Sequence, residues 1–437
     1  MAGKRKANNQ IFLRSETDLF TEAGYDVTVQ STEFTNYYPT TAISDANVPI
    51  TFFIPGDDSH YIDLSELLLL IRGNVVDKDG KNIPAWDGVK KVAFVNNTFH
   101  ALFDQCTVHL NETQITPTTN TYSYRAHLET LLSFRGDQSD TLGPLQGYYP
   151  TSNIANEAHF KYTHEMMEGG KEIEMISRPH VDMCFQTRYL IPGIDVRFAF
   201  NRSRPEFYML TDQVDLGCRF QITQARLIVK RHTLLPSILA NHLKVWNSGY
   251  PVCYPHRKID VKAYTIPNGS TASINENILT GQIPDRIVVA MVPNKAFHGN
   301  YAEDSYIYEA HDLKSIEVTA NGDHIFHQKF DVDFKAHHFA EAFYNLFSTF
   351  NLDRAADGPQ ISHTHYKKGR TLFCFNLRDY KEGFTVPRFG NVRIALQFKE
   401  ALKEALTVIV HADYQGVLQI DKHKNVYFKD FSNFDKE

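Results

Sequence analysis

Short stretches of β-branched and aromatic residues recur along the whole chain, and polar turn residues separate many of them. Runs of roughly four to eight such residues bounded by Gly, Pro, Asn or Asp predict β-strands. The pattern predicts eight strands in each half of the sequence. In the N-terminal half they are Asp26–Gln30, Pro49–Ile54, Leu67–Val76, Lys91–Asn96, Thr107–Leu110, Glu172–Ile176, Met183–Tyr189 and Asp195–Phe200. In the C-terminal half they are Phe220–Arg231, Lys258–Thr265, Arg286–Val292, Lys314–Thr319, Leu372–Leu377, Asn391–Gln397, Leu406–Ala412 and Val417–Ile420.

Helical periodicity is confined to a few segments. Tyr124–Phe134 and Ala336–Phe350 each carry an apolar stripe at the spacing of one helix face. A third helix is predicted over Pro236–Trp246, because proline is tolerated in the first turn. The two stripes have the same internal spacing and consist of Tyr124, Leu128, Leu131 and Leu132 in the first helix, and Phe339, Phe343, Leu346 and Phe347 in the second.

The two halves repeat the same features in the same order. The pattern V-x-x-N-x-x-x-I occurs at Val108–Ile115 and again 210 residues later at Val318–Ile325, with Asn where a tight turn would fall. A striped helix follows each hairpin, at an offset of 215 residues. Two more matches are MCFQTR (183–188) with FCFNLR (373–378), offset 190, and VRFAF (196–200) with VRIAL (392–396), offset 196. This ordered series predicts a domain that is duplicated once.

The duplication predicts a join near Arg204–Leu216. We expect a flexible basic arm over residues 1–20, a first domain over residues 21–208 and a second over residues 209–437. Eight strands with only one or two helices per copy favour antiparallel sheets over a βαβ architecture. The expected fold class is mainly β: two tandem eight-stranded antiparallel jelly rolls, with a few short helices in the loops. An immunoglobulin-like sandwich is the alternative, but at about 100 residues it lacks such long excursions.

Length and charge refine this picture. The 437 residues exceed the roughly 250–300 that one hydrophobic core supports. The formal net charge of −6 is weak evidence against a broad nucleic-acid-binding face. A local exception is the cluster Lys4, Arg5 and Lys6. It is either a solvated terminus or a nuclear signal or phosphate-contacting arm.

The sequence also constrains the compartment. No apolar segment at the N-terminus indicates a signal peptide. The longest apolar run, Leu67–Ile71, is far shorter than the roughly 20 residues of a membrane helix. The five cysteines are odd in number and widely spaced, which predicts neither a disulfide framework nor a paired metal or redox site. We therefore expect a protein that stays in a reducing compartment.

Motif searches reveal no catalytic signature. The chain has no P-loop, no nucleophile elbow and no dinucleotide-binding glycine motif. His164 opens a segment that resembles a zincin helix, but Glu168 stands where the second His is required. The best remaining metal candidate is the pair His363 and His365, which would share one face of a strand. The third ligand would be His337, His338 or Asp413. The competing interpretation is a polar loop in a chain that has 20 histidines.

One long block resembles a known protein family. The run FHALFDQCTVHLNETQITPTTNTYSYRAHLETLLSF, residues 99–134, is similar to the major capsid protein of Polinton (Maverick) elements and of the related adintoviruses. Shorter matches are FQTRYLIPGIDVRF (185–198), YTIPNGS (264–270), GQIPDRIVVAMV (281–292) and GNVRIALQF (390–398). The resemblance covers residues 61–427 approximately and leaves out the basic N-terminus. The matching positions of the long block are Leu102, Phe103, Leu110, Asn111, Pro117, Thr119, Asn120, Thr121, Tyr122, Tyr124, Arg125, Ala126, Glu129, Thr130, Leu131 and Leu132.

The resemblance implies a double jelly roll with a structural role, without catalytic activity and without a cofactor. Three chains would form a pseudo-hexameric homotrimer, and trimers would tile an icosahedral shell around double-stranded DNA. Penton or minor capsid proteins would be further partners, and Lys4, Arg5 and Lys6 would contact packaged DNA nonspecifically. The protein would be assembled in the host nucleus or cytoplasm and reside in the virion.

The alternative function is that of a cupin- or lectin-like tandem jelly roll. Such a protein would bind a metal ion or a glycan, and His363 and His365 would be its first candidate ligands.

Overall fold

A computed structural model provides the fold of the chain. It describes residues 28–44, 47–86, 91–133, 141–149, 157–212, 217–321, 326–353, 358–359, 361–378 and 387–429. The strands of the first half are β1 (Val29–Tyr37), β2 (Ile50–Ile54), β3 (His60–Val76), β4 (Val92–Phe94), β5 (Phe103–Leu110), β6 (Thr113–Gln114), β7 (Ile173–Ser177), β8 (Val196–Arg202), β9 (Met209–Thr211) and β10 (Arg219–Leu234). Those of the second half are β11 (Val252–Ile266), β12 (Ala272–Gln282), β13 (Arg286–Pro293), β14 (Leu313–Ala320), β15 (Phe326–Asp331), β16 (Phe373–Asn376), β17 (Phe389–Phe398), β18 (Leu406–Ile420) and β19 (Val426–Phe428).

The helices lie between the strands. They are α1 (Thr98–Ala101), α2 (Tyr122–Ser133), α3 (Glu157–Met167), α4 (Pro205–Tyr208), α5 (Pro236–Asn247), α6 (Asn294–His298), α7 (Ala340–Ser348) and α8 (His363–Lys367). The predicted helices at Tyr124–Phe134 and Pro236–Trp246 are confirmed as α2 and α5. The helix predicted over Ala336–Phe350 is α7. It begins at Ala340 and not at Ala336, because His337 adopts a left-handed backbone conformation (φ 61°) that interrupts a helix.

Each half contains two antiparallel sheets with four strands in the main order. The first half has the sheets β1-β10-β3-β7 and β2-β8-β5-β6, and the second has β11-β18-β13-β16 and β12-β17-β14-β15. In addition, β19 pairs with β18 as a fifth strand, and β4 and β9 form a separate two-stranded sheet. When β4, β9 and β19 are set aside, eight strands remain in each half, and numbering them along the chain gives the same order in both: 1-8-3-6 in one sheet and 2-7-4-5 in the other. This is the strand order of two Greek keys closed into a jelly roll. The predicted fold class is confirmed.

The repeated sequence patterns occupy matching positions in the two jelly rolls. Leu110 pairs with Val196 between β5 and β8, and Ala320 pairs with Val392 between β14 and β17. These pairs are related by the two sequence offsets of 210 and 196 residues. The hairpin pattern and the VRFAF or VRIAL strand are therefore hydrogen-bonded neighbours in both halves.

The repeated asparagine of each hairpin has the same structural task. Asn111 and Asn321 both adopt left-handed backbone conformations, with φ of 51° and 49°. Asn111 donates its backbone N–H to the carbonyl of Asp195 (2.9 Å), and its side-chain oxygen accepts from the N–H of Asp195 (2.9 Å). Asn321 makes the same two bonds with Asn391 (3.0 and 3.1 Å). Asparagine suits this position because it tolerates the left-handed region and its amide extends the strand ladder by one step.

The pairing of β10 bears on where the two domains meet. The strand β10, which lies beyond Arg204–Leu216, does not open the second half but completes the first. It lies between β1 and β3 and pairs with both. Without β10, the facing backbone groups of these two strands would have no partners. We accordingly propose that the two domains meet near Leu235 and not at residues 208–209.

The predicted strand Met183–Tyr189 is wrong. Residues Asp182–Phe185 form a short 3₁₀ helix, and its Met183 and Cys184 side chains are buried. The sixth strand of the first jelly roll is β7, whereas FCFN of the second half forms β16, the sixth strand there. The similarity of MCFQTR to FCFNLR is therefore not a structural equivalence.

The paired asparagines lead to a prediction about stability. Replacing Asn111 or Asn321 by Ala forces a left-handed conformation on a residue with a Cβ and removes the side-chain hydrogen bonds. We expect each change to lower the free energy of unfolding by about 1–3 kcal/mol, measured by urea denaturation.

Glycine at the same positions is the matched control, because it keeps the backbone conformation and removes only the side chain. We expect the order of stability to be Asn, then Gly, then Ala. Alanine variants as stable as the native chain would show that neither turn sets the strand register.

Candidate functional site at the junction of the two halves

Helix α2 is buried on nearly all of its surface. On one side, α2 lies against β5 of the first jelly roll. The positions outside the apolar stripe include Arg125, His127 and Thr130, and these polar side chains are buried as well. A helix that is buried all round lies between two packed bodies. The second body here is the other jelly roll, whose strand β11 lies beside α2. We call this region the junction.

A charged network crosses the junction. Arg125 donates through Nε to Glu129 (2.9 Å) and through Nη2 to Asp182 (2.6 Å). The same oxygen of Asp182 accepts from the backbone N–H of Ile259 in β11 (3.2 Å). His411 in β18 extends its Nε2 to within 3.8 Å of Glu129. Side chains from both halves thus share one network, which we call the Arg125 network.

Electrostatics hold the Arg125 network in its charged form. Burial alone would raise the pKa of Glu129, but Arg125, a hydrogen bond from His180 and the nearby His411 outweigh it, and the pKa of this carboxyl lies well below its usual value. Burial would also lower the pKa of Arg125, but Asp182 and Glu129 raise it. Two carboxylates face one guanidinium, and the Nδ1 of His180 and the Nε2 of His411 lie beside Glu129.

Two further buried histidines are held neutral, His100 inside the first half and His127 at the junction. His100 lies within hydrogen-bond distance of the Tyr122 hydroxyl (3.1 Å) and of the Ser177 hydroxyl (2.9 Å). Burial and the neighbouring His180 lower its pKa well below the usual 6.5. Burial and the charge of Arg370 do the same to the pKa of His127. Both imidazoles resist protonation as long as they stay buried.

Aromatic rings fill the rest of the junction. The ring of Tyr124 stacks on Phe297 of the second half, with centroids 5.2 Å apart. His127 stacks on Tyr306 (4.1 Å), and its Nδ1 lies 2.9 Å from the hydroxyl of Tyr308. These contacts join α2 to the β13–β14 connection of the second half. The residues that match the resembling family most closely are therefore packing residues between the two jelly rolls.

The proposed metal pair is not supported by the geometry. His363 and His365 lie in the short helix α8 and not in a strand, so residues two apart point to different sides. The ring of His363 stacks on Phe339 with centroids 4.6 Å apart. Asp413, a suggested third ligand, is bound by Arg286 (2.6 Å) and Arg257 (2.9 Å). Within the described ranges, no group of three His, Cys, Asp or Glu side chains is arranged to hold a metal ion.

The remaining sequence candidates have structural explanations or fall outside the described ranges. His164 is buried, with its two ring nitrogens near the carbonyls of Pro84 (2.9 Å) and Val92 (3.3 Å). The residues Lys4, Arg5 and Lys6 lie outside the described part of the chain. Among the described helices, none is long and apolar enough to cross a membrane.

Sequence reasoning missed the partners of the Arg125 network. Asp182, His180 and His411 come from distant parts of the chain, and no local pattern links them. The sequence offered one signal of the network: Arg125 and Glu129 lie four residues apart beside the apolar stripe of a predicted helix. That signal is ambiguous, because ion pairs with this spacing also occur on the exposed faces of helices.

Comparisons with known proteins relate the chain to a curated sequence and to solved structures. No protein-family model matches the chain. An uncharacterized protein of Caenorhabditis elegans is 21% identical over 395 residues, which cover 87% of this chain and 93% of the relative.

Solved structures are similar in fold along nearly the whole chain. A chain of the Sputnik virophage, solved by cryo-EM, aligns with a TM-score of 0.62 at 10% identity. The alignment covers 98% of the present chain and 94% of the virophage chain. The Faustovirus major capsid protein aligns with a TM-score of 0.56 at 10% identity, covering 91% and 92%. The mavirus major capsid protein aligns at 0.51 and 13% identity, covering 98% and 95%. The likeness extends over both jelly rolls.

The Arg125 network should be sensitive to loss of one carboxylate. Glu129→Gln leaves a buried guanidinium with a single anionic partner, and we expect it to lower the free energy of unfolding by about 3–5 kcal/mol. The matched control is Glu174→Gln, which breaks the exposed pair with Arg72 and should cost less than about 1 kcal/mol. Urea denaturation measures both. Equal costs for the two variants would show that the network does not hold the junction.

The buried histidines predict a loss of stability in mild acid. The folded-state pKa values of His100 and His127 are lowered, so below about pH 6.5 the unfolded chain binds protons that the folded chain does not. The free energy of unfolding should therefore fall with decreasing pH, by up to about 1.4 kcal/mol per pH unit for each residue. A His100→Gln, His127→Gln double variant should show a flatter profile. An identical slope in both proteins would refute this assignment.

Proposed function

We propose that this chain is the major capsid protein of a double-stranded DNA virus or of a related integrated element. The observation that carries the proposal is the whole-chain likeness to capsid proteins. The alignments with the Faustovirus and mavirus major capsid proteins cover at least 91% of either partner. A single shared jelly roll would have given about half of that coverage, since jelly rolls occur in many unrelated proteins.

The proposed assembly is a homotrimer that presents six jelly rolls as a pseudo-hexamer. Two copies of the same fold in one chain support it, because three such chains supply six similar building blocks. Closed rotational symmetry satisfies the contact surfaces within each trimer. Trimers then tile an icosahedral shell, with penton or minor capsid proteins at the remaining positions. The interfaces need to be of obligate size, above about 2,000 Å².

The finer assignment is to the Polinton and adintovirus group. The block at residues 99–134 supports it through its similarity to that family. The relative in Caenorhabditis elegans adds support, because a related gene in an animal is what an integrated element would leave. In this proposal, the virion is the site of action and the chain performs no catalysis.

The basic N-terminus has a proposed role inside the shell. Lys4, Arg5 and Lys6 would contact the phosphates of packaged DNA without sequence preference. The overall charge of −6 favours a local contact of this kind and argues against a broad DNA-binding face.

Mass and negative-stain microscopy of the purified protein test the proposal. We expect a stable particle of three times the 50.1 kDa chain mass, hexagonal in outline, which forms shells or plates at higher concentration. A chain without residues 1–10 should form the same trimers but shells with less DNA.

One outcome would contradict the capsid role, and another would contradict only the role of the basic arm. A chain that remains monomeric at all concentrations would exclude a capsid role. Unchanged particle yield and DNA content after deletion of residues 1–10 would leave the capsid role intact but remove the role of the basic arm.

A further inference from the structure

Basic side chains are concentrated on the connection between β15 and β16 in the second jelly roll. Lys368, His337, His338 and His363 are exposed, and Lys367 is half-buried. The Nζ of Lys367 lies 3.0 Å from the Nε2 of His337. The chain as a whole carries a charge of −6, so this concentration of basic groups is a local departure from its average surface. We call these five residues the basic patch.

Aromatic rings beside the basic patch hold its two segments together. The ring of His363 in α8 stacks on Phe339 with centroids 4.6 Å apart, and Phe339 stacks on Phe334 (4.9 Å). Tyr366 of α8 is fully buried, and its ring packs against Phe343 of α7 with centroids 5.1 Å apart. The turn before α7 and the helix α8 are therefore fixed against each other, and the basic patch is preorganised for a ligand.

The two lysines of the basic patch lack a carboxylate partner within the described ranges. Neither Lys367 nor Lys368 forms an ion pair with an Asp or Glu of that part of the chain. A lysine ammonium has donors only, so the Nε2 of His337 accepts from Lys367. Asp333, four residues before His337, is bound instead to Lys399 (2.5 Å). The basic patch therefore has positive charge available for an anion from outside the chain.

The basic patch and the N-terminal arm lie at opposite ends of the molecule. Pairing is antiparallel in both sheets of each jelly roll, and consecutive strands alternate in direction. The connection from the fifth to the sixth strand is thus at the end opposite to the start of the first strand. The two jelly rolls point the same way, because Asn111, after the fourth strand of the first, donates to the carbonyl of Lys424, after the last strand of the second (2.9 Å). The arm joins the first jelly roll at Val29, the start of β1.

We propose that the basic patch binds a sulfated polysaccharide of the host cell surface. This inference rests on the proposed capsid function: if Lys4, Arg5 and Lys6 contact DNA inside the shell, the opposite end of the molecule faces outward. A sulfate group offers several acceptor oxygens at one point, which suits donors as close together as those of Lys367 and His337. A polysaccharide presents such groups in series, and the three patches of a trimer bind it with added avidity.

Binding of native trimers to immobilised heparin, a sulfated polysaccharide, tests the proposal. The double variant Lys367→Glu, Lys368→Glu reverses two charges of the basic patch. Both side chains reach solvent, so the variant should keep the native circular dichroism spectrum and the trimer mass. We expect its affinity for heparin to fall about 10-fold or more, with elution at lower salt. Lys367→Gln, Lys368→Gln, which only removes the charges, should have intermediate affinity.

The matched control is the double variant Lys244→Glu, Lys422→Glu. It makes the same change of charge at two exposed lysines, in α5 and in the turn after β18, at the end opposite to the basic patch. Its affinity for heparin should equal that of the native protein. A control that loses as much affinity as the patch variants would show that heparin responds only to overall charge, which would overturn the proposal.

Two further ligands separate the basic patch from the basic arm and sulfate from carboxylate. The patch variants should keep the native affinity for double-stranded DNA, whereas a chain without residues 1–10 should lose affinity for DNA and keep most of its affinity for heparin. If the deletion abolishes heparin binding and the patch variants leave it unchanged, the arm is the site and the proposal is wrong. Desulfated heparin, which keeps its carboxylates, should bind far more weakly, and equal binding would overturn the assignment to sulfate.

Failure of this inference is distinguishable from failure of the capsid function. Native trimers that do not bind heparin would contradict only the role of the basic patch. A native chain that never associates would contradict the capsid function, even if the patch variants weaken its binding to heparin.

Discussion

A buried guanidinium must be paired, and the two carboxylates that pair with Arg125 are also the ones that face the second half of this chain. Its partners are Glu129 on its own helix and Asp182 from the loop after β7. Asp182 in turn binds the backbone of β11, and Glu129 lies beside His411 of β18. Separating the halves would keep the ion pairs of Arg125, which lie within the first half, but would remove the Ile259 N–H from Asp182 and His411 from Glu129. The network therefore adds directional polar contacts between the two jelly rolls to the apolar ones.

The two copies of the fold share a framework and differ where they meet other bodies. The strand order, the register of β5 with β8 and of β14 with β17, and the left-handed asparagines are the same in both. The helices that follow each hairpin carry apolar stripes of the same spacing. Their remaining side chains differ: those of α2 include the buried Arg125, whereas α7 is exposed around Tyr344. Duplication thus preserved the framework and left the outer faces to specialise.

The sequence predicted those parts of the fold that depend on neighbouring residues. The periodicity of α2 and the hairpin asparagines are local signals, and the similarity of the two halves followed from their order. The prediction failed where distant segments decide the structure. Met183–Tyr189 has strand-like composition, but Asp182 binds across the junction and the segment forms a 3₁₀ turn. His363 and His365 suggested a strand, but Ser362 caps a short helix there. The Arg125 network joins residues more than 200 positions apart, which no local pattern encodes.

The position of β10 has a consequence for how the chain acquires its structure during synthesis. The first strand of the first jelly roll pairs with the last, since Val29 lies opposite Leu234. The first half can therefore close only after residue 234 has left the ribosome, and until then the edges of β1 and β3 stay open. Such long-range pairing is slow and exposes strands that can bind a neighbouring nascent chain. Once β10 is in place, the first half is a closed unit that can wait for His411, near the end of the chain, to complete the junction.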